Sequence, residues 1–85
     1  MDDNERLARA FGKALRELRE KKNLSQAKVV IASNHDFTTI TYQRYDAGKR
    51  IHKIPMLIRI ARAFKVHPST ILDLALSYYE NDKEW

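Results

Sequence analysis

The chain contains no cysteine, which removes a disulfide scaffold, a thiolate metal site and a cysteine nucleophile together. Glycine and proline each occur only twice in 85 residues, too few turn formers for a multi-stranded β-protein. No apolar run approaches the ~20 residues that span a bilayer. The opening residues Met1, Asp2, Asp3, Asn4 and Glu5 are acidic and polar, the reverse of a secretory signal, so the expectation is a cytoplasmic protein without a membrane segment. There is no glycine-rich phosphate loop and no nucleophile–base–acid set. His35, His52 and His67 lack metal-ligand spacing. The chain therefore reads as a non-enzyme, with no catalytic residue, no metal, no cofactor and no evident small-molecule site.

What is present is charge with a layout. The net charge is +5. Seven of the basic residues, Arg44, Lys49, Arg50, Lys53, Arg59, Arg62 and Lys65, fall in one stretch against the single acid Asp46. From Val66 onward the balance reverses, with Asp73, Glu80, Asp82 and Glu84 against Lys83. A basic middle and an acidic end fit one face built for a polyanion and another held away from it. A plain solvated surface accounts for the charges equally well.

Apolar spacing predicts five helices and one domain over residues 1–85, with a core from about 5 to 74. Leu7, Phe11, Ala14, Leu15 and Leu18 recur at steps of three and four, an amphipathic stripe over about 4–22. Asn23 suits the left-handed position that closes such a helix. Ser25 is an N-cap candidate for a second helix with Val29, Val30 and Ser33 inward. Thr38 is another, for a third helix running to Gly48 with Tyr42 and Tyr45 inward. Gly48 suits a helix terminus. Pro55 and Pro68 fit the first turns of a fourth and a fifth helix. The fold expected is an all-α, compact five-helix bundle.

The two helices between Ser25 and Ala47 form the unit that carries a functional argument. Two short capped helices joined by a tight connection make a helix-turn-helix, whose second helix lies in the major groove. Tyr42 and Tyr45 would hold that helix to the body, leaving Thr39, Gln43 and Arg44 to bond base edges. Arginine bonds guanine through two donors, and threonine or isoleucine can contact a thymine methyl. The competing reading is an ordinary surface helix, against which an exposed Ile40 counts mildly.

The string Leu24-Ser25-Gln26, followed by Tyr42-Gln43-Arg44-Tyr45-Asp46-Ala47-Gly48-Lys49-Arg50, resembles the Cro-type (xenobiotic-response-element-like, lambda-repressor-like) helix-turn-helix family of phage repressors and bacterial regulators. The likeness covers roughly residues 11–74. It implies base contacts from Thr39, Ile40 and Arg44, with Gln43 a lesser contributor. It implies backbone contacts from Gln26, Thr38, Lys49 and Arg50, extended by Lys53; capping alone is an equal role for Thr38. It also implies a structural ion pair between Arg19 and Asp46. The chain departs from the family pattern by being about two residues longer between Gln26 and Gly48. The excess falls near Ser33, Asn34 and His35, where the usual turn glycine is missing and Asn34 can take its conformation. A longer second helix or a looser turn would follow. His52 reads as a surface histidine, ahead of the alternative that its titration near phosphates tunes binding.

The last helix carries a stripe of Leu72, Leu76 and Tyr79, with Leu74 and Tyr78 elsewhere around it and Trp85 beyond. That stripe is the expected dimer interface, and covering the bundle's own core is its ordinary alternative. The function expected is a sequence-specific DNA-binding transcriptional regulator, a repressor occupying a palindromic operator on double-stranded DNA as a homodimer. The alternative from another class is an antitoxin or similar interaction protein that binds a protein partner through its C-terminal helix and autoregulates its operon. A nonspecific architectural DNA protein is the least favoured reading.

Overall fold

A computed structural model describes residues 2–81; Trp85 and the acidic residues Asp82 and Glu84 lie outside the described residues. In chain order the elements are α1 (Asp3–Lys21), α2 (Gln26–Ala32), α3 (Thr39–Asp46), α4 (Ile54–Phe64) and α5 (Pro68–Asn81). The chain is an all-α bundle, with no strand among the described residues.

Four of the five helices begin where a side chain satisfies a free amide. Asp2 accepts from the Glu5 amide at 2.7 Å, Ser25 from Lys28 at 3.1 Å and Thr38 from Thr41 at 3.1 Å. His67 does the same for α5, its Nδ1 accepting from the Ser69 amide at 3.1 Å. α4 has no capping side chain and begins with Pro55 in its first turn, where a missing N–H costs nothing.

The ends share one device. Asn23, Asn34, Gly48 and Lys65 all have positive φ. At each, the following amide reaches back five residues, as in Leu24 to the Arg19 carbonyl at 2.9 Å and Lys49 to the Arg44 carbonyl at 2.9 Å. These are Schellman closures. Using Asn and Lys rather than Gly at three of them costs roughly 1 kcal/mol each in backbone strain, so tertiary packing must hold those ends.

The core is filled by Phe11, Leu15, Val29, Tyr42, Ile60, Phe64 and Ile71 with smaller residues between them. α1 contributes its Phe11, Ala14, Leu15 and Leu18 stripe, all buried. In α4 Leu57, Ile60, Ala61 and Phe64 are buried, while Ile58 is half-buried. α5 packs on α1 through more than apolar contact: the Tyr78 hydroxyl donates to Glu17 at 2.6 Å, and the Arg6 guanidinium lies 4.4 Å from the Tyr79 ring centroid.

That last contact gives one member of the expected dimer stripe a partner within its own chain. Tyr79 is half-buried against Arg6 of its own chain, because an amphipathic aromatic beside a cation gains locally. Ile71 and Ala75 supply the core, with Leu74 and Tyr78 packed against it. Leu72 and Leu76 remain 38% and 37% exposed.

Candidate nucleic-acid interface

The site is built on α3. With Tyr42 fully buried and Tyr45 nearly so, the helix is fixed by one side. The Tyr42 ring stacks on Phe37, the apolar anchor of the preceding loop, with centroids 5.8 Å apart. Ile40, Gln43 and Arg44 project into solvent from the other side, and Thr39 is half-buried at its edge. Ile40 is 65% exposed.

Asp46 fixes the helix against its neighbours. Its side chain is 4% exposed and pairs with Arg19 of α1, Nε to Oδ1 at 2.7 Å and Nη2 to Oδ2 at 3.2 Å. Such a two-pronged pair is strong and directional. The same carboxylate accepts from the Tyr42 hydroxyl at 3.0 Å and from the Gln26 side-chain amide at 3.1 Å. Arg16 donates to the Asp46 carbonyl, and Arg19 also reaches the Leu24 carbonyl at 3.2 Å. One buried acid therefore ties α1, the start of α2 and α3 together. The hydrogen bond to Asp46 holds the Arg19 guanidinium above its usual pKa. Burial, reinforced by the Asp46 charge, pushes the Tyr42 phenol far above its usual value, so it remains a donor.

This network bears on Gln26. The residue stands at the first position of α2, and one hydrogen of its amide is engaged by Asp46. The contact pre-positions the side chain beside Ile40, Gln43, Arg44, Ala47 and Lys49, with which it lines a shallow concavity. Thr38 caps α3 and also donates from its hydroxyl to the Thr41 hydroxyl at 2.9 Å. Lys49, Arg50 and Lys53 are exposed in the segment between α3 and α4, continuing the basic surface from Arg44.

α2 stops at Ala32 and α3 starts at Thr39, so the connection between them is a loop. Asn34 and His35 are both left-handed, at φ 59°. The Ser33 hydroxyl donates to the Val30 carbonyl at 2.6 Å and accepts from the Asp36 amide at 3.2 Å. Asp36 lies 3.7 Å from Arg59 of α4. The loop is thus held at both ends.

His52 overturns its expected place on the surface. Its ring stacks on Phe11 at 4.5 Å between centroids and meets the edge of Tyr45 at 4.9 Å. Both ring nitrogens are buried with no hydrogen-bond partner among the described residues. Burial lowers its pKa to about 4, so the ring is neutral near pH 7 and presents no charge to a ligand. The physical reason is the flat aromatic slot between α1 and α3, which a neutral imidazole fills as an apolar plate.

Comparison with known proteins finds no matching family model, no matching curated protein and no matching solved structure. Among the described residues, no group of His, Asp and Glu is placed to hold a metal ion, and no helix is long and apolar enough to cross a membrane.

Sequence reasoning missed three of the groups that shape the site. Gly12 of α1 approaches the end of α3 so closely that a Cβ there would lie 2.7 Å from the Gly48 nitrogen. A lone glycine inside an amphipathic stripe is the signal that could have found it. Arg16 looks like any solvated arginine of α1. The loop position of His52 hides the aromatic pair around it.

Proposed function

We propose that this chain is a sequence-specific DNA-binding regulator of the Cro-type helix-turn-helix kind, with α2 and α3 as the helix-turn-helix and α3 as the helix that reads the major groove. The observation that carries this reading is the outer face of α3. Ile40, Gln43 and Arg44 stand exposed on a helix whose other side is locked by Tyr42, Tyr45 and Asp46, and Lys49, Arg50 and Lys53 follow at once. Side chains of this kind suit base edges, while the flanking cations suit phosphates. Rigid support under a polar face is what recognition requires, since a mobile reading helix loses discrimination to entropy.

A single helix in one groove contacts few base pairs, so the active form is a homodimer on a palindromic operator with half-sites about 34 Å apart. Leu72 and Leu76, left exposed on α5, supply the apolar contact. The same two leucines support a second reading, in which α5 holds a different protein while the domain represses its own operon.

Selection from a random duplex library by the purified chain tests the proposal. The expected result is one recurring motif with two-fold symmetry. Recovery of a single unsymmetrical half-site favours the partner-binding reading of α5, and the absence of any enriched sequence removes the regulator reading altogether.

A further inference from the structure

Among the described residues Ile31, Ile40 and Ile54 are the largely exposed isoleucines, and of the three Ile40 is the one carried by α3 and set in the concavity beside Arg44. It is 65% exposed on an eight-residue helix whose apolar side is already complete, although burying an isoleucine normally stabilises a fold. Its neighbours across the concavity are two amides, Gln26 and Gln43, two cations, Arg44 and Lys49, and the methyl of Ala47. The surface therefore offers hydrogen-bonding groups and charge around one branched apolar side chain. In the major groove of DNA the matching apolar group is the C5-methyl of thymine, or of 5-methylcytosine; every other feature of the groove floor is a donor, an acceptor or a small C–H edge.

We propose that Ile40 is a methyl reader: it determines specificity by packing against a pyrimidine C5-methyl in the half-site, beside the base bonded by Arg44. This rests on the regulator reading above and sharpens it to a stated chemistry. Isoleucine touches the methyl and neither donates nor accepts, so it is indifferent to whether the base pair behind the methyl is T·A or 5-methylC·G. Binding at that position consequently follows the methyl and not the base identity. DNA carrying cytosine there becomes a better ligand once that cytosine is methylated at C5.

The test uses the duplex recovered by selection. Each thymine is replaced singly by deoxyuridine, which keeps every hydrogen-bonding group of the pair and removes only the methyl. Kd is measured for the wild-type chain and for Ile40→Ala, whose exposed site and better helix propensity keep α3 intact. One position in each half-site is expected to show a loss of about fourfold in the wild type, as for one buried methyl group, and no loss in Ile40→Ala. At the same position, 5-methylcytosine is expected to bind the wild type several-fold better than cytosine, again only while Ile40 is present. Identical deoxyuridine profiles for the two proteins overturn the methyl-reader assignment while leaving the regulator reading in place. A chain that selects no sequence overturns both.

Discussion

Gly12 and Gly48 meet backbone to backbone where α1 crosses the end of α3, and they are the two glycines of the chain. A Cβ on Gly12 would stand 2.7 Å from the Gly48 nitrogen and 2.8 Å from its Cα. Gly48 itself has φ 75° and a Cβ position 3.0 Å from the Cα of Arg9. The crossing therefore has no room for a side chain on Gly12 and little on Gly48, and it sets how far α3 stands out from the body.

Two effects of opposite sign compete at Gly12. Alanine in a helix interior normally gains about 1 kcal/mol over glycine. Here the added methyl meets backbone that cannot swing aside, and overpacking of that kind costs about 1–3 kcal/mol. We expect the clash to win, with Gly12→Ala destabilising by about 1–2 kcal/mol in urea unfolding. A variant as stable as the parent, or more so, would show that the crossing is looser than described.

The Asp46 network makes a second prediction. Asp46→Ala strands Arg19 with its partner gone, and breaking a buried pair costs about 3–5 kcal/mol. Since the Arg19 side chain is 18% exposed, the lower end is expected. Tyr42→Phe removes one bond to the carboxylate while keeping the buried ring, at about 1.5 kcal/mol. In a double-mutant cycle the two losses should fall short of additivity, because both changes remove the same hydrogen bond. Strict additivity would mean that the phenol and the carboxylate do not interact.

Stability should depend on His52 in acid. Its native pKa of about 4 lies below the ordinary 6.5, so as pH falls the unfolded chain takes up the proton first. The stabilisation is therefore complete above pH 6.5 and is lost between 6.5 and 4, by about 3 kcal/mol in all. Comparing urea midpoints at pH 7 and pH 4.5 for the parent and His52→Phe measures it. The parent should lose the larger amount on acidification, and equal losses would place the ring in solvent.

Much of the fold was legible because it is local. Ser25 and Thr38 announce helix starts, Asn23 and Gly48 announce ends, and the stripe from Phe11 to Leu18 announces a buried face, all within a few residues of one another. The ion pair of Arg19 with Asp46 came through likeness to a family pattern, since 27 residues separate the two. What escaped were contacts whose partners are distant and whose residue types have a more common local meaning. His52 looks like a loop residue until Phe11 and Tyr45 enclose it. Gly12 looks like a weak spot in a helix until Gly48 arrives against it. Lys65 at φ 59° ends α4 in a conformation its side chain does nothing to favour, between Phe64 in the core and Val66 packed against it.

The claim that α3 reads bases while the segment after it holds phosphates is tested most directly by comparing two single variants on the selected duplex and on scrambled DNA across a salt series. Arg44→Ala should lose about 1–3 kcal/mol on the selected site and little on scrambled DNA, relaxing preference at one base pair. Lys49→Ala should weaken both duplexes alike and lower the slope of log K against log salt by about one. If the two variants lose the same affinity on both duplexes, or if neither loses any, the outer face of α3 does not do what this account assigns to it.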